Sequence, residues 1–142
     1  MRSALIIGAV VASAGLVYGL WPTAEEAEQV AANTGGGVLV EVTLPDTLSE
    51  NAQIGKRAYE ANCAVCHGPN AAGQDLVAPP LVHIIYEPGH HGDESFQRAA
   101  AMGVQGHHWP FGNMPPVEGV TSADVSLIIA YVRELQRANG IN

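Results

Sequence analysis

The pentapeptide Cys63-Ala64-Val65-Cys66-His67 limits this chain more than any other stretch. Two cysteines three apart, followed at once by histidine, have the spacing of a covalent haem attachment. Each thiol can add to one vinyl group of the same porphyrin. The histidine is then carried to the ring, where an imidazole nitrogen can bind iron. Both cysteines of the chain are here. On spacing alone a redox-active dithiol, a simple disulfide or half of a zinc site remain open. Composition favours haem, because hydrophobic residues make up 47% of the chain but aromatic ones only 6%. A core poor in large side chains is completed most simply by a buried porphyrin.

The helical pattern on either side of the motif is readable. Thr47-Leu48-Ser49-Glu50 fits a capping box, with Ser49 as a rival cap. Beyond it Ile54, Ala58 and Ala61 recur at helical spacing, as do Gly55 and Tyr59. Thr121-Ser122-Ala123-Asp124 opens a last helix, with Val125, Ile128, Ile129, Val132 and Leu135 as its apolar stripe and Tyr131 beside it. Arg133 and Arg137 are expected to complement its dipole, and Gly140 to stop it. A third helix is expected from Asp93, as its cap, to about Val104. Val38–Val42 could be a short extended piece. The rest of the globular part is rich in Gly, Pro and His and reads as loop, with no alternating strand pattern. The expected class is mostly α.

The N-terminus has a different character. After Met1-Arg2-Ser3, residues Ala4 to Trp21 form an apolar run of 18 without a charge. As a helix it would be about 27 Å long, at the short end of a membrane span. Arg2 before it and Glu25, Glu26 and Glu28 after it place Arg2 in the cytoplasm and the remainder outside. A cleaved signal peptide has a similar layout, but no good small-x-small site follows the run. An anchor is therefore expected over 1–21, a linker over 22–44 that contains Gly35-Gly36-Gly37, and a globular domain over 45–142. The domain would be periplasmic on the inner membrane, or soluble in the periplasm if the segment is cleaved.

From roughly Pro45 onward the chain resembles the class I, mono-haem cytochromes c. Gly55 and Tyr59 precede Cys63 as the small residue and aromatic of that family's first helix do. Tyr131 and Leu135 sit where its last helix supplies packing residues. Ala78-Pro79-Pro80-Leu81 is similar to its Gly-Pro-x-Leu segment, with Ala78 in place of the usual glycine. Gly112-Asn113-Met114-Pro115-Pro116 is similar to its distal-methionine loop. The resemblance implies a small helical domain wrapped around one covalent haem c. Cys63 and Cys66 would be its thioethers, His67 the proximal iron ligand and Met114 the distal one. The Pro79 carbonyl would accept a hydrogen bond from the His67 ring, fixing its tautomer. Met102 lies in a helical pattern, where methionine is usually core filler, so Met114 is the preferred sixth ligand. Closing both axial positions favours one-electron transfer over catalysis.

His83, His90, His91, His107 and His108 are not general features of that family. No helical i,i+4 pair occurs among them, and sequence does not bring the two His-His loops together. A contact of His83 or Trp109 with a haem propionate is preferred to a second metal at His90/His91/His107/His108. Fourteen acids against six bases, a net charge of −8, exclude nucleic acid as a partner. The function expected is a single-electron carrier of a respiratory-type chain. Its partners would be redox proteins such as a quinol-cytochrome c oxidoreductase, a terminal oxidase or a dehydrogenase. The other readings are a haem enzyme or gas sensor, and a fixed cytochrome subunit of a larger oxidase or dehydrogenase.

Overall fold

The computed structural model describes residues 36–142. The expected anchor and the first part of the expected linker lie outside the described residues. Among the described residues no helix is long and apolar enough to cross a membrane. The elements are α1 (Glu50–Asn62), α2 (Ala64–His67), 3-10 turns at Pro69–Ala71 and Ile84–Tyr86, α3 (Asp93–Met102) and α4 (Ser122–Ala138). There is no strand among them, only isolated bridges at Gln74–Ala78 and Val104–Met114. The class is mostly α, as the sequence predicts.

Helix α1 starts at Ser49, not Thr47. The Ser49 hydroxyl accepts from the Ala52 N–H at 3.3 Å. It also donates to Glu134 Oε1 at 2.6 Å, while Glu134 Oε2 accepts from the Ser49 N–H at 3.1 Å. That tie to α4 decides between two caps that local sequence leaves equal. The buried face of α1 is Ala52, Gly55 and Tyr59. Ile54 and Ala61 face outward, whereas Ala58 is half-buried against the core beside Gly55 and Tyr59. Gly55 is needed for close approach: a β-carbon there would land on the Leu127 carbonyl of α4.

Helix α4 is built as its sequence predicts. Thr121 Oγ1 accepts from the Asp124 N–H at 3.2 Å, and the Asp124 carboxylate accepts from the Thr121 N–H at 2.9 Å. Hydrogen bonds from the Thr121 side chain and backbone hold the Asp124 carboxyl below its usual range. At the far end Gly140 and Ile141 donate to the Arg137 and Gln136 carbonyls at 3.1 and 3.0 Å. This is the two-bond closure of a glycine C-terminal cap.

The core between α1 and α4 holds Tyr59, Tyr131, Val132, Leu135, Ile128, Leu81 and Val82. Each such large side chain stabilises by about 1.5–3 kcal/mol on burial. The tyrosine rings meet at 5.6 Å between centroids. Their hydroxyls leave the core to hold the loop beyond the cysteine motif: Tyr59 donates to the Gly68 carbonyl at 2.7 Å and Tyr131 to Asn70 Oδ1 at 3.1 Å. Burial raises both hydroxyl pKa values, Tyr131 to about 12.

Val38–Val42 forms no strand. The segment is nevertheless fastened to the domain, since the Leu39 and Val40 N–H groups both donate to the Ala72 carbonyl at 3.2 Å. Farther on, Thr43 and the Asn139 side chain exchange two bonds, at 2.9 and 2.8 Å.

Candidate cofactor site

Cys63 closes α1, its N–H donating to the Tyr59 carbonyl at 2.8 Å. The single turn α2 then carries Cys66 and His67. Both thiols are free, Cys66 exposed and Cys63 half-buried. Burial, and then the neighbouring Cys66, push the Cys63 thiol up to about 11.

His67 is buried, and its Nδ1 lies 2.9 Å from the Pro79 carbonyl. With the proton on Nδ1 donated to that oxygen, Nε2 is left with its lone pair free for a metal. Desolvation lowers the His67 pKa, against the opposing effect of the Pro79 bond, so the neutral ring is favoured. The strap carrying Pro79 is itself held: Gly73 donates to the His67 carbonyl at 2.7 Å, and the Gln74 side chain donates to the Ala64 and Val65 carbonyls at 3.2 and 3.0 Å.

Met114 stands on the other loop of the site. Val104 and Met114 exchange backbone bonds, each 2.9 Å. The Gly106 N–H donates to Asn113 Oδ1 at 3.0 Å, and the Val117 N–H to the Ala100 carbonyl at 2.9 Å. At the turn out of α3 a β-carbon on Gly103, which has φ +73°, would strike the Met114 carbonyl. Only glycine fits there, and the methionine is presented by a clamped loop. Met102, the last residue of α3, is 67% exposed. It lines the same cavity as Met114 rather than the protein core.

His67, Met114, both cysteines, Tyr86 and Trp109 are among the residues lining one cavity of 780 Å³. That volume is within the roughly 300–1,000 Å³ of ligand-binding cavities. Trp109 Nε1 is buried with no hydrogen-bond partner. Its indole stacks on Phe111 at 5.9 Å and meets His83 edge-on at 5.1 Å. It lies near enough to the Tyr86 oxygen to offset part of the rise that burial imposes on that hydroxyl, without reaching bonding geometry. A buried imidazole with Nε2 free, two thiols and a thioether around one largely apolar cavity are the donor set of a covalent haem site. The residues present thus fit a haem.

Two features escape sequence reasoning. Arg133 is not a dipole complement on the surface of α4 but is buried. Its Nε lies 3.0 Å from Asp93 Oδ1, and its terminal nitrogens donate to the Tyr86 carbonyl, Gln136 Oε1 and the His91 carbonyl at 2.7, 2.6 and 2.6 Å. Asp93 is accordingly a partner of Arg133, and Gly92 takes the cap position of α3. A cation between Val132 and Leu135 on the apolar stripe was the available signal. Second, the two His-His loops do meet. Ring centroids are 4.6 Å apart for His90–His91, 5.4 Å for His90–His108, 5.3 Å for His91–His108 and 4.3 Å for His107–His108. Sequence does not show this meeting, which the fold brings about. His108 has a lowered pKa through partial desolvation and the charges of His107, His91 and His90.

A small helical domain with an attachment motif, a buried neutral imidazole and a clamped thioether around one cavity is that of a haem-binding electron-transfer protein. A family model for cytochrome c matches residues 52–136, more than half of the 142 residues. The chain belongs to the cytochrome c family.

Proposed function

We propose that this chain carries a single covalent haem c, with Cys63 and Cys66 as thioethers and His67 and Met114 as the axial iron ligands. It passes single electrons between membrane or periplasmic redox proteins of a respiratory-type chain. Partners such as a quinol-cytochrome c oxidoreductase, a terminal oxidase or a dehydrogenase fit this role. The observation that carries the reading is the pairing of two preset ligands on one cavity: His67 held through Nδ1 by Pro79 at 2.9 Å, and Met114 held by its reciprocal bonds to Val104. The bound haem supplies a reversible one-electron change at iron. The chain's part is positional. Burial keeps the imidazole neutral, and the Pro79 carbonyl fixes its orientation and tautomer, which strengthens it as a donor. The Gly103–Val117 loop holds a weak thioether ligand in place. Filling both axial positions keeps small substrates from the iron and suits transfer rather than catalysis.

In this reading residues 1–21 tether the domain to the inner membrane, with the N-terminus cytoplasmic and the haem domain periplasmic. The tether raises the domain's effective concentration near membrane partners. Sequencing the N-terminus of the native protein tests it: a start beyond residue 24 replaces the anchor with a cleaved signal. For the haem, mass spectrometry of the exported protein should show one adduct, on the peptide containing both cysteines and stable to denaturation. A Cys63–Cys66 disulfide without haem in that protein would overturn the proposal.

A further inference from the structure

We propose that His90, His91 and His108 form a second metal site, for a transition-metal ion that prefers imidazole, Zn(II) or Cu(II). One ligand atom from each of the three lies within 4.8 Å of the others. Tetrahedral coordination at about 2.0–2.1 Å from metal to nitrogen needs nitrogens roughly 3.3 Å apart. The set therefore closes with shifts of about 1.5 Å at most. His90 and His108 are exposed and can make those shifts by side-chain rotation. Neutral imidazoles select this group of ions over hard cations, which prefer oxygen.

His91 is the fixed member. Its Nδ1 lies 2.6 Å from the Ile85 carbonyl, so a proton there is donated and Nε2 is left as the ligand atom. Metal-binding histidines are generally oriented by such a bond from the other ring nitrogen. From below, Arg133 grips the His91 carbonyl at 2.6 Å, and Tyr86 flanks the ring at 5.2 Å. The neighbouring His107 has its Nδ1 engaged by the Gln105 carbonyl at 2.8 Å and lies outside the set of three. Three imidazoles leave a fourth position for water or a further ligand. A net charge of −8 adds a general attraction for a cation.

The site joins two loops distant in sequence. His90 and His91 precede α3, whereas His108 stands on the loop that also carries Met114. A bound ion would pin these loops together and stabilise the folded chain by mass action.

The test uses the full haem-loaded chain, titrated with Zn(II) and separately with Cu(II) against a chromophoric chelator. One equivalent should bind, and the Cu(II) form should show magnetic coupling to imidazole nitrogens in electron paramagnetic resonance. His90 and His108 are exposed but also line the haem cavity, so the His90→Ala/His108→Ala double variant should fold and attach haem, with at most a small change in its haem spectrum. It should lose more than about 100-fold in affinity, beyond the usual cost of removing an outer-shell partner. Zn(II) should raise the melting temperature of the parent and not that of the double variant. Equal affinity in parent and double variant overturns the proposal, as does a parent that binds neither ion. A double variant that loses haem stability while keeping metal affinity would assign these rings to the haem instead, and equally overturns it.

Discussion

Replacing Arg133 by methionine tests how the loop over the cavity is held. The guanidinium is 9% exposed on its side chain and stands 4.9 Å over the Phe96 ring. Methionine can fill much of that space but donates nothing. The Asp93 carboxylate is 65% exposed, so losing that ion pair costs less than about 1 kcal/mol. The Tyr86 carbonyl keeps its bond from the Gln136 side chain at 3.0 Å. The His91 carbonyl and Gln136 Oε1 lose the Arg133 donor. An acceptor stranded in this way costs about 1–3 kcal/mol. Together the losses come to about 2–7 kcal/mol, a range that includes the cost of breaking a buried ionic contact elsewhere. For a domain of this size 1 kcal/mol shifts the melting temperature by about 4–8 °C. Melting of the haem-loaded protein, followed by far-ultraviolet circular dichroism, should therefore fall by at least about 8 °C. Asp93→Asn should fall far less. A loss under about 1 kcal/mol for Arg133→Met, or an equal loss for Asp93→Asn, would refute the reasoning.

Two further outcomes are expected. Gly55→Ala gains about 1 kcal/mol of helix propensity, but its β-carbon would stand 2.5 Å from the Leu127 carbonyl carbon; the helices must part, and a net loss of about 2 kcal/mol is expected in denaturant titration. Asp124 has a folded pKa below its ordinary value of 3.8, so its contribution is complete above that value and fades as pH falls through the folded pKa. Thr121→Ala, which removes the side-chain bonds, should flatten the stability-against-pH curve in that acid window, and an unchanged curve would count against the capping box as the cause.

What could be read from sequence is what local chemistry or the cysteine motif determines. The start and stop of α4 follow from Thr121, Asp124 and Gly140, each acting within one helical turn. The small residue at Gly55 came through the family resemblance, and the structure supplies its reason, the close approach of the Leu127 carbonyl. The His67–Pro79 contact came through the family resemblance and is present at 2.9 Å. What escaped depends on partners far along the chain. Ser49 outcompetes Thr47 because Glu134, 85 residues away, bonds to it. Asp93 is drawn from a capping role by Arg133. Met102 sits on a helical pattern but lines the cofactor cavity. His90 and His108 meet only because the loops on either side of α3 fold toward each other, which no local pattern encodes.

The most direct test of the central claim is the charge-transfer band at the red end of the visible spectrum, which marks a thioether–iron bond in the oxidised protein. It should be present in the parent and absent in Met114→Ala, whose ferrous form should then bind carbon monoxide and whose reduction potential should fall. Met102→Ala should retain the band and at most loosen packing at the cavity wall. Loss of the band in Met102→Ala alone, or rapid carbon monoxide binding by the parent, would contradict a site closed by His67 and Met114 and with it the electron-carrier account.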